Sequence, residues 1–268
     1  MTQILIPTDF SACAKNALDT GFALANITGA EVHLLHCISI AKEEGKDSPE
    51  VKNARLNAET LLLSYQKENP EIKSSFKISD ESFLESMPKL VEEKNIDLVV
   101  MGSHGASGKN EFFIGSNTQK VARLIHRPIL VVKEKIDRLK FKKVVYASGF
   151  NEDEKHVFQK FLKLIRIFEP EIHLVAINTS SLFDAPLSVT IESMEQFKTL
   201  ASPLDCKIHL YRDFTIESGI RHFSKEIDAD LIGISNHHRS PLKRMLVGSS
   251  VEALINHAHI PVLSMDFD

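Results

Sequence analysis

Short apolar runs alternate along this chain with longer segments whose apolar residues recur at helical spacing. The first run, QILIPT at 3–8, is rich in β-branched residues and predicts a strand. In 11–29 the apolar residues recur every three or four positions, which predicts a helix. Ser11 is a natural N-cap for that helix, and Gly29 is a natural stop signal after it.

The rest of the first half continues the alternation. Further strands are predicted at 31–38, 75–78, 97–102 and 128–133, and further helices at 50–67, 82–95 and 116–127. Near-continuous apolar strands that alternate with helices are typical of a parallel sheet covered on both faces. The pattern therefore predicts a five-stranded open α/β domain with right-handed crossovers.

Four blocks of the sequence recur in the same order later in the chain. Blocks 3–11 and 30–38 recur 140 residues later, and blocks 95–105 and 114–132 recur 133 residues later. A repeat of this length means that one structural unit is duplicated. We expect two domains, 1–138 and 139–268, divided within the charged stretch KEKIDRLKFKK.

The composition argues against a nucleic-acid partner and against a membrane protein. The 268 residues carry a net charge of −4 and no tryptophan, which argues against a nucleic-acid partner. No apolar run approaches the roughly 18 residues of a membrane span, and the N-terminus does not resemble a signal peptide. The three widely spaced cysteines are typical of reduced thiols and not of a disulfide framework. We expect a soluble, cytoplasmic protein with no membrane partner.

A glycine-rich stretch, MGSHGASGKNEFFIGSN at 101–117, joins the fourth predicted strand to the next helix. Glycine permits close backbone approach, and a helix N-terminus favours phosphate, so the stretch is a candidate phosphate cradle. A Walker A loop does not fit, because Ser103 stands at its first glycine and Asn110 replaces its hydroxyl residue. The dinucleotide fingerprint G-x-G-x-x-G is also absent. A plain connecting loop remains the alternative.

The spacing of Gly102, Gly105, Gly115 and Ser116 resembles the nucleotide-binding signature G-2x-G-9x-G-(S/T) of the universal stress protein family. ILIPTDFS resembles the first strand and acidic turn of that family, and RPILVVK resembles its last strand. The resemblance implies two tandem Rossmann-like domains, of the adenine nucleotide alpha hydrolase-like kind, with strand order 3-2-1-4-5. It also implies an intramolecular pseudo-dimer, and a further homodimer of chains stays open.

A subgroup of the family binds ATP, and the resemblance implies an ATP site in the first domain, with Mg²⁺ as an optional companion. Carried over by position, that site comprises Pro7, Thr8, Asp9, Cys37, Met101, Gly102, Ser103, Gly105, Gly115, Ser116 and Asn117. The residues from the first two strands would border adenine and ribose, and the glycine stretch would hold the phosphates. For Asp9 the residues alone leave two roles open, ribose or metal contact and helix capping.

The second copy departs from the signature. Gly149 stands where the first copy has Asp9, and Ser235 and His238 replace the first two glycines, whereas Gly248 and Ser249 persist. We therefore do not expect this copy to bind ATP in the same way.

Three functions remain open at this point. The first is a stress-response protein that binds ATP and acts as a sensor or regulator of unknown protein partners. The others are a slow ATPase that uses the same site and a nucleotide-independent interaction protein. The sequence predicts no catalytic residue and no protein metal ligand, since no general base or convergent ligand set is apparent.

Overall fold

Parallel strands form the core of both halves of the chain in this computed structural model. The structure describes residues 1–38, 48–103, 124–136, 139–179, 186–236, 254 and 257–266. The chain divides into two compact units, Met1–Leu139 and Lys140–Asp268.

The first unit is a parallel sheet with helices between its strands. Its strands are β1 (Gln3–Pro7), β2 (Glu31–Cys37), β3 (Ser74–Ser79), β4 (Leu98–Gly102) and β5 (Ile129–Val132). Its described helices are α1 (Ala12–Thr28), α2 (Pro49–Glu68) and α3 (Phe83–Glu93). The order β3-β2-β1-β4-β5 confirms the predicted strand order 3-2-1-4-5.

The second unit repeats this arrangement. Its strands are β6 (Lys143–Ala147), β7 (Glu171–Asn178), β8 (Cys206–Arg212), β9 (Leu231–Asn236) and β10 (Val262–Asp266). Its described helices are α4 (Lys155–Ile165), α5 (Leu187–Ala201) and α6 (Ile216–Glu226), with 3₁₀ turns at Glu152–Glu154 and Arg166–Phe168. The parallel order β8-β7-β6-β9-β10 is again 3-2-1-4-5. The predicted fold class is confirmed.

Helix α1 begins and ends at its predicted signals. The Ser11 hydroxyl accepts a hydrogen bond from the Ala14 N–H, and Gly29 adopts φ 71° while its N–H donates to the Ala25 carbonyl. A left-handed glycine at this place satisfies a carbonyl that the helix leaves without an internal partner. The chain therefore turns directly from α1 into β2.

The first helix of each domain packs closely on the central strands, but the two domains use different residues at the contact. A Cβ on Gly21 of α1 would overlap the Ile6 side chain and would lie 3.8 Å from the Val100 Cβ. At the equivalent positions of the second domain the helix carries Phe161 and the strand carries Gly233, whose Cβ would overlap the Phe161 ring. At this crossing the glycine lies on the helix in the first domain and on the strand in the second domain.

Three buried or half-buried histidines form hydrogen bonds within the sheets. His33 lies 2.6 Å from the Gln3 amide oxygen and 2.8 Å from the Ser75 hydroxyl. The Nδ1 atom of His173 lies 3.0 Å from Nε2 of His209. Burial is the main cause that lowers the pKa of each histidine below the usual 6.5. These side chains are therefore favoured in their neutral form in the folded protein.

The exchanged pair at the helix crossing should show coupling. We expect Gly233→Val to lower the free energy of unfolding by roughly 1–3 kcal/mol through overpacking, and Phe161→Ala to lower it by about 3–5 kcal/mol through a cavity. In the double variant the valine fills space that the ring vacates, so the penalties should combine to at least about 1 kcal/mol less than their sum. Urea denaturation measures all three, and strictly additive penalties would contradict a shared space.

The histidines should make stability depend on pH. Their folded-state pKa values are lowered, so the unfolded chain takes up protons first as the pH falls below about 6.5. The free energy of unfolding should be highest above pH 7 and should decrease as the pH falls toward about 5. Denaturation curves across this window test the slope, and His209→Gln should flatten it. A constant free energy of unfolding between pH 7 and pH 5 would argue against neutral histidines.

Candidate functional site

The carboxyl ends of β2, β1 and β4 lie side by side at one edge of the first sheet. Strand β1 pairs with β2 as far as Pro7 opposite Leu35, and it pairs with β4 on its other side. In the sheet, β2 lies on one side of β1 and β5 lies on the far side of β4, so the strand order reverses between β1 and β4. Such a reversal is the place where open α/β sheets bind ligands. The described candidate residues of the first domain all lie on these three strand ends or directly after them.

The turn after β1 is organised by its own side chains. The Thr8 hydroxyl accepts from the Phe10 N–H at 3.1 Å, and the Asp9 carboxylate accepts from the Ser11 N–H at 3.0 Å. Ser11 provides the N-cap of α1, so the capping role left open for Asp9 falls to Ser11. Asp9 is exposed at the sheet edge, whereas Thr8 is buried.

Two residues that the sequence analysis did not single out hold this turn in place. His36 on β2 donates from Nδ1 to the Thr8 carbonyl at 2.8 Å, and its ring lies 4.6 Å from the Phe10 ring. Phe10 has φ 62°, and its counterpart Phe150 has φ 54°. The recurrence of phenylalanine at this position of the repeat was the sequence signal for a special turn.

Gly102 ends β4 against the start of α1. A Cβ at this position would lie 2.8 Å from the Cys13 carbonyl carbon and 3.0 Å from the Ala14 nitrogen, both of which are backbone atoms. Real Cβ atoms do not approach backbone so closely, so the packing of β4 on α1 requires glycine here. This contact brings the carboxyl end of β4 to the first turn of α1.

The neighbours of Gly102 are buried. Met101 is 5% exposed and Ser103 is 0% exposed, and the Ser103 N–H donates to the Val132 carbonyl at 3.2 Å. A ligand at this edge would therefore meet the backbone of this segment more than its side chains.

The first turn of α1 faces the same edge and contains no acidic residue. A helix N-terminus carries roughly half a positive charge and exposes N–H groups. The edge thus combines a donor-rich helix start with the exposed carboxylate of Asp9, groups that suit an anion and a hydroxyl-bearing group respectively.

Cys37 ends β2 and is half-buried. Its register partner is Ser79 on β3, whose hydroxyl lies 2.8 Å from the Ser86 hydroxyl. Burial raises the pKa of the Cys37 thiol, so the sulfur remains protonated and is not an activated nucleophile.

Part of the candidate site lies outside the described residues, namely Gly105, Gly115, Ser116 and Asn117. Within the described part of the chain, no three histidine, cysteine or carboxylate side chains converge as a metal site. Among the described helices, none is long and apolar enough to cross a membrane.

The equivalent edge of the second domain has the same turn but lacks the acidic residue that follows the first strand. The Ser148 hydroxyl accepts from the Phe150 N–H at 3.1 Å, as Thr8 does from Phe10. Gly149 then stands in the place of Asp9, so this edge has no equivalent carboxylate after its first strand.

Comparisons with known proteins give consistent results over the whole chain. The model of the universal stress protein family matches residues 1–133 and again residues 140–264. Universal stress protein MJ0577 of Methanocaldococcus jannaschii is 31% identical over 156 residues, which cover 50% of this chain and 95% of that protein. MJ0531 of the same organism is 30% identical over 142 residues, covering 49% and 82%.

Solved structures agree on the fold. The crystal structure of a universal stress protein from Archaeoglobus fulgidus superposes with a TM-score of 0.78 and covers 98% of this chain and 96% of its own. A Pseudomonas aeruginosa structure described as a universal stress protein superposes with a TM-score of 0.67, covering 99% and 93%. Their sequence identities of 21% and 18% make this a likeness of fold alone.

The close contact at Gly102 should be visible as a stability effect without any ligand. We expect Gly102→Ala to lower the free energy of unfolding by roughly 1–3 kcal/mol, because β4 and α1 must separate to admit the methyl group. Gly29→Ala, which meets open space and carries only the strain of its positive φ, should cost about 1 kcal/mol. Urea denaturation of both variants tests this, and a Gly102→Ala protein as stable as wild type would contradict it.

Proposed function

The chain belongs to the universal stress protein family, and we propose that its first domain binds ATP at the carboxyl edge of β2, β1 and β4. The observation that carries this proposal is the pattern G-x-x-G, nine residues, then G-S, which begins at Gly102. Gly102 ends β4 beside the first turn of α1, so the pattern starts where an open α/β sheet offers a ligand edge.

The nucleoside would lie over the ends of β1 and β2. The exposed Asp9 carboxylate supplies acceptor atoms for ribose hydroxyls. Pro7 and Thr8 are buried and would border the base through the backbone and through shape. Cys37 would face adenine with its backbone, since its thiol remains neutral.

The phosphates would lie along the glycine pattern. The backbone of Met101, Gly102 and Ser103 leads into it, and Gly105, Gly115, Ser116 and Asn117 would supply N–H and side-chain donors. The acid-free first turn of α1 adds a favourable potential for these anions. A Mg²⁺ ion would be held mainly by phosphate oxygens, because the described residues contribute no convergent ligand set.

In this proposal ATP acts as a signal that alters the choice of protein partner. Turnover should be slow at most, because the sequence places no evident general base beside the glycine pattern. The protein would then be a nucleotide-dependent sensor or regulator of the stress response.

Calorimetric titration of nucleotide-stripped protein with ATP and Mg²⁺ tests the site. We expect one site per chain with a micromolar Kd, which corresponds to about 8 kcal/mol of binding free energy. Gly115→Val should abolish binding while the fold survives, because its side chain would obstruct the phosphates. Gly248→Val, at the equivalent position of the second domain, is the matched control and should leave both stoichiometry and affinity unchanged.

Four results would overturn parts of this proposal. Undiminished binding by Gly115→Val would remove the site assignment, and two sites per wild-type chain would show that the second domain also binds ATP. Absence of both heat and a shift in melting temperature would favour a nucleotide-independent interaction protein. Single-turnover hydrolysis well above the background rate would favour a slow ATPase instead of a sensor.

A further inference from the structure

A buried carboxylate lies at the carboxyl edge of the second sheet. Glu154 is 0% exposed, although it ends a short 3₁₀ turn directly after the β6 connection. Its Oε2 atom accepts from the Asn151 N–H at 2.7 Å and from the Asn151 Nδ2 at 3.2 Å. Its Oε1 atom accepts from the Ser235 hydroxyl at 2.8 Å. The bond from the Asn151 N–H is that of a capping box at the start of the 3₁₀ turn. Each of the partners can donate to a carboxylate oxygen.

These residues occupy the positions that form the candidate site in the first domain. With the repeat spacings of 140 and 133, Glu154 corresponds to Ala14 and Ser235 corresponds to Gly102. In the first domain those two residues meet through the close contact of β4 with the α1 backbone. In the second domain the equivalent place is bridged by a side-chain carboxylate and a hydroxyl.

The loss of the acidic residue after the first strand fits the same arrangement. A Cβ on Gly149 would lie 2.8 Å from the Asn151 Nδ2 and 3.3 Å from the Glu154 Oε2. An aspartate here, as at position 9 in the first domain, would crowd the donors and bring a second carboxylate beside the first. Glycine at 149 therefore leaves room for the Asn151 amide and the Glu154 carboxylate.

The helix start also differs in charge between the domains. The first turn of α1 contains no acidic residue, whereas the equivalent 3₁₀ turn consists of Glu152, Asp153 and Glu154. Tyr146 is fully buried on β6, and its pKa is raised by burial first and by the Glu154 charge second. A phosphate that entered this edge would meet a carboxylate already bound to the local donors.

We propose that Glu154 acts as an internal anion that occupies an anion cradle of the second domain and so excludes phosphate ligands from it. The donors of this cradle include the Asn151 N–H and Nδ2 and the Ser235 hydroxyl. It follows that the chain binds one nucleotide, in the first domain. This consequence rests on the proposed function. The cradle itself rests only on the contacts within the second domain.

Removal of the carboxylate should convert the cradle into a site for an added anion. We expect Glu154→Ala to lower the melting temperature by about 10 °C in chloride, because buried donors lose their partner. Inorganic phosphate, at the same pH and ionic strength and at roughly ten times its Kd, should raise the melting temperature of this variant by about 4 °C more than that of wild type.

Val157→Ala, a fully buried apolar truncation on α4, controls for general stabilisation by phosphate. An equal response of Glu154→Ala and Val157→Ala would overturn the proposal.

Two further comparisons keep the test decisive. If Glu154→Ala does not fold in chloride, recovery of folded protein in phosphate supports the cradle, and failure in both salts overturns it. Glu154→Gln fills the same space and should respond to phosphate no more than Val157→Ala does, whereas a response as large as that of Glu154→Ala would overturn the occupied cradle.

Titration of the wild-type chain with ATP reports separately on the proposed function. Rescue of Glu154→Ala by phosphate without ATP binding by wild type would leave the cradle standing and remove the nucleotide site of the first domain. ATP binding by wild type without rescue of Glu154→Ala by phosphate would support the nucleotide site of the first domain and remove the cradle.

Discussion

The fold of each domain depends on how closely its first helix can cross the two central strands. Protein interiors are close-packed, so the crossing admits one large residue and one small one. The first domain places Gly21 on the helix against Ile6, with Val100 at ordinary contact distance, and the second places Phe161 on the helix against Gly233. The two copies have kept the geometry of the crossing while exchanging the residues that fill it.

In each domain the start of the first helix also meets the end of the fourth strand, and at this edge the two copies differ in chemistry. In the first domain Gly102 lets the end of β4 reach the α1 backbone, which leaves an acid-free helix start beside Asp9. In the second domain Glu154 and Ser235 join at the equivalent place through a hydrogen bond. Since the scaffold is maintained by packing beneath the edge, the edge can change its ligand chemistry without a change of fold.

Gly102 has a packing role in the structure and a second role in the proposed ATP site. In sequence it opens the glycine pattern on which the proposed site rests, but in the structure its missing side chain makes room for the α1 backbone. Both requirements lead to glycine, so the pattern alone does not separate them. His36 and Phe10 hold the turn after β1. The repeat marks Phe10, but only the structure shows that His36 contacts it.

The sequence by itself determined the alternation of strands and helices and the duplication, because periodicity and caps such as Ser11 and Gly29 are signals local to the chain. The strand order was implied only by the resemblance to a known family. The family followed from short motifs in the same way. Only the tertiary structure decided the packing role of Gly102 and the burial of Glu154 against Ser235. The Glu154 contact joins residues 81 positions apart, and no local pattern reports which side chains the fold brings together over that distance.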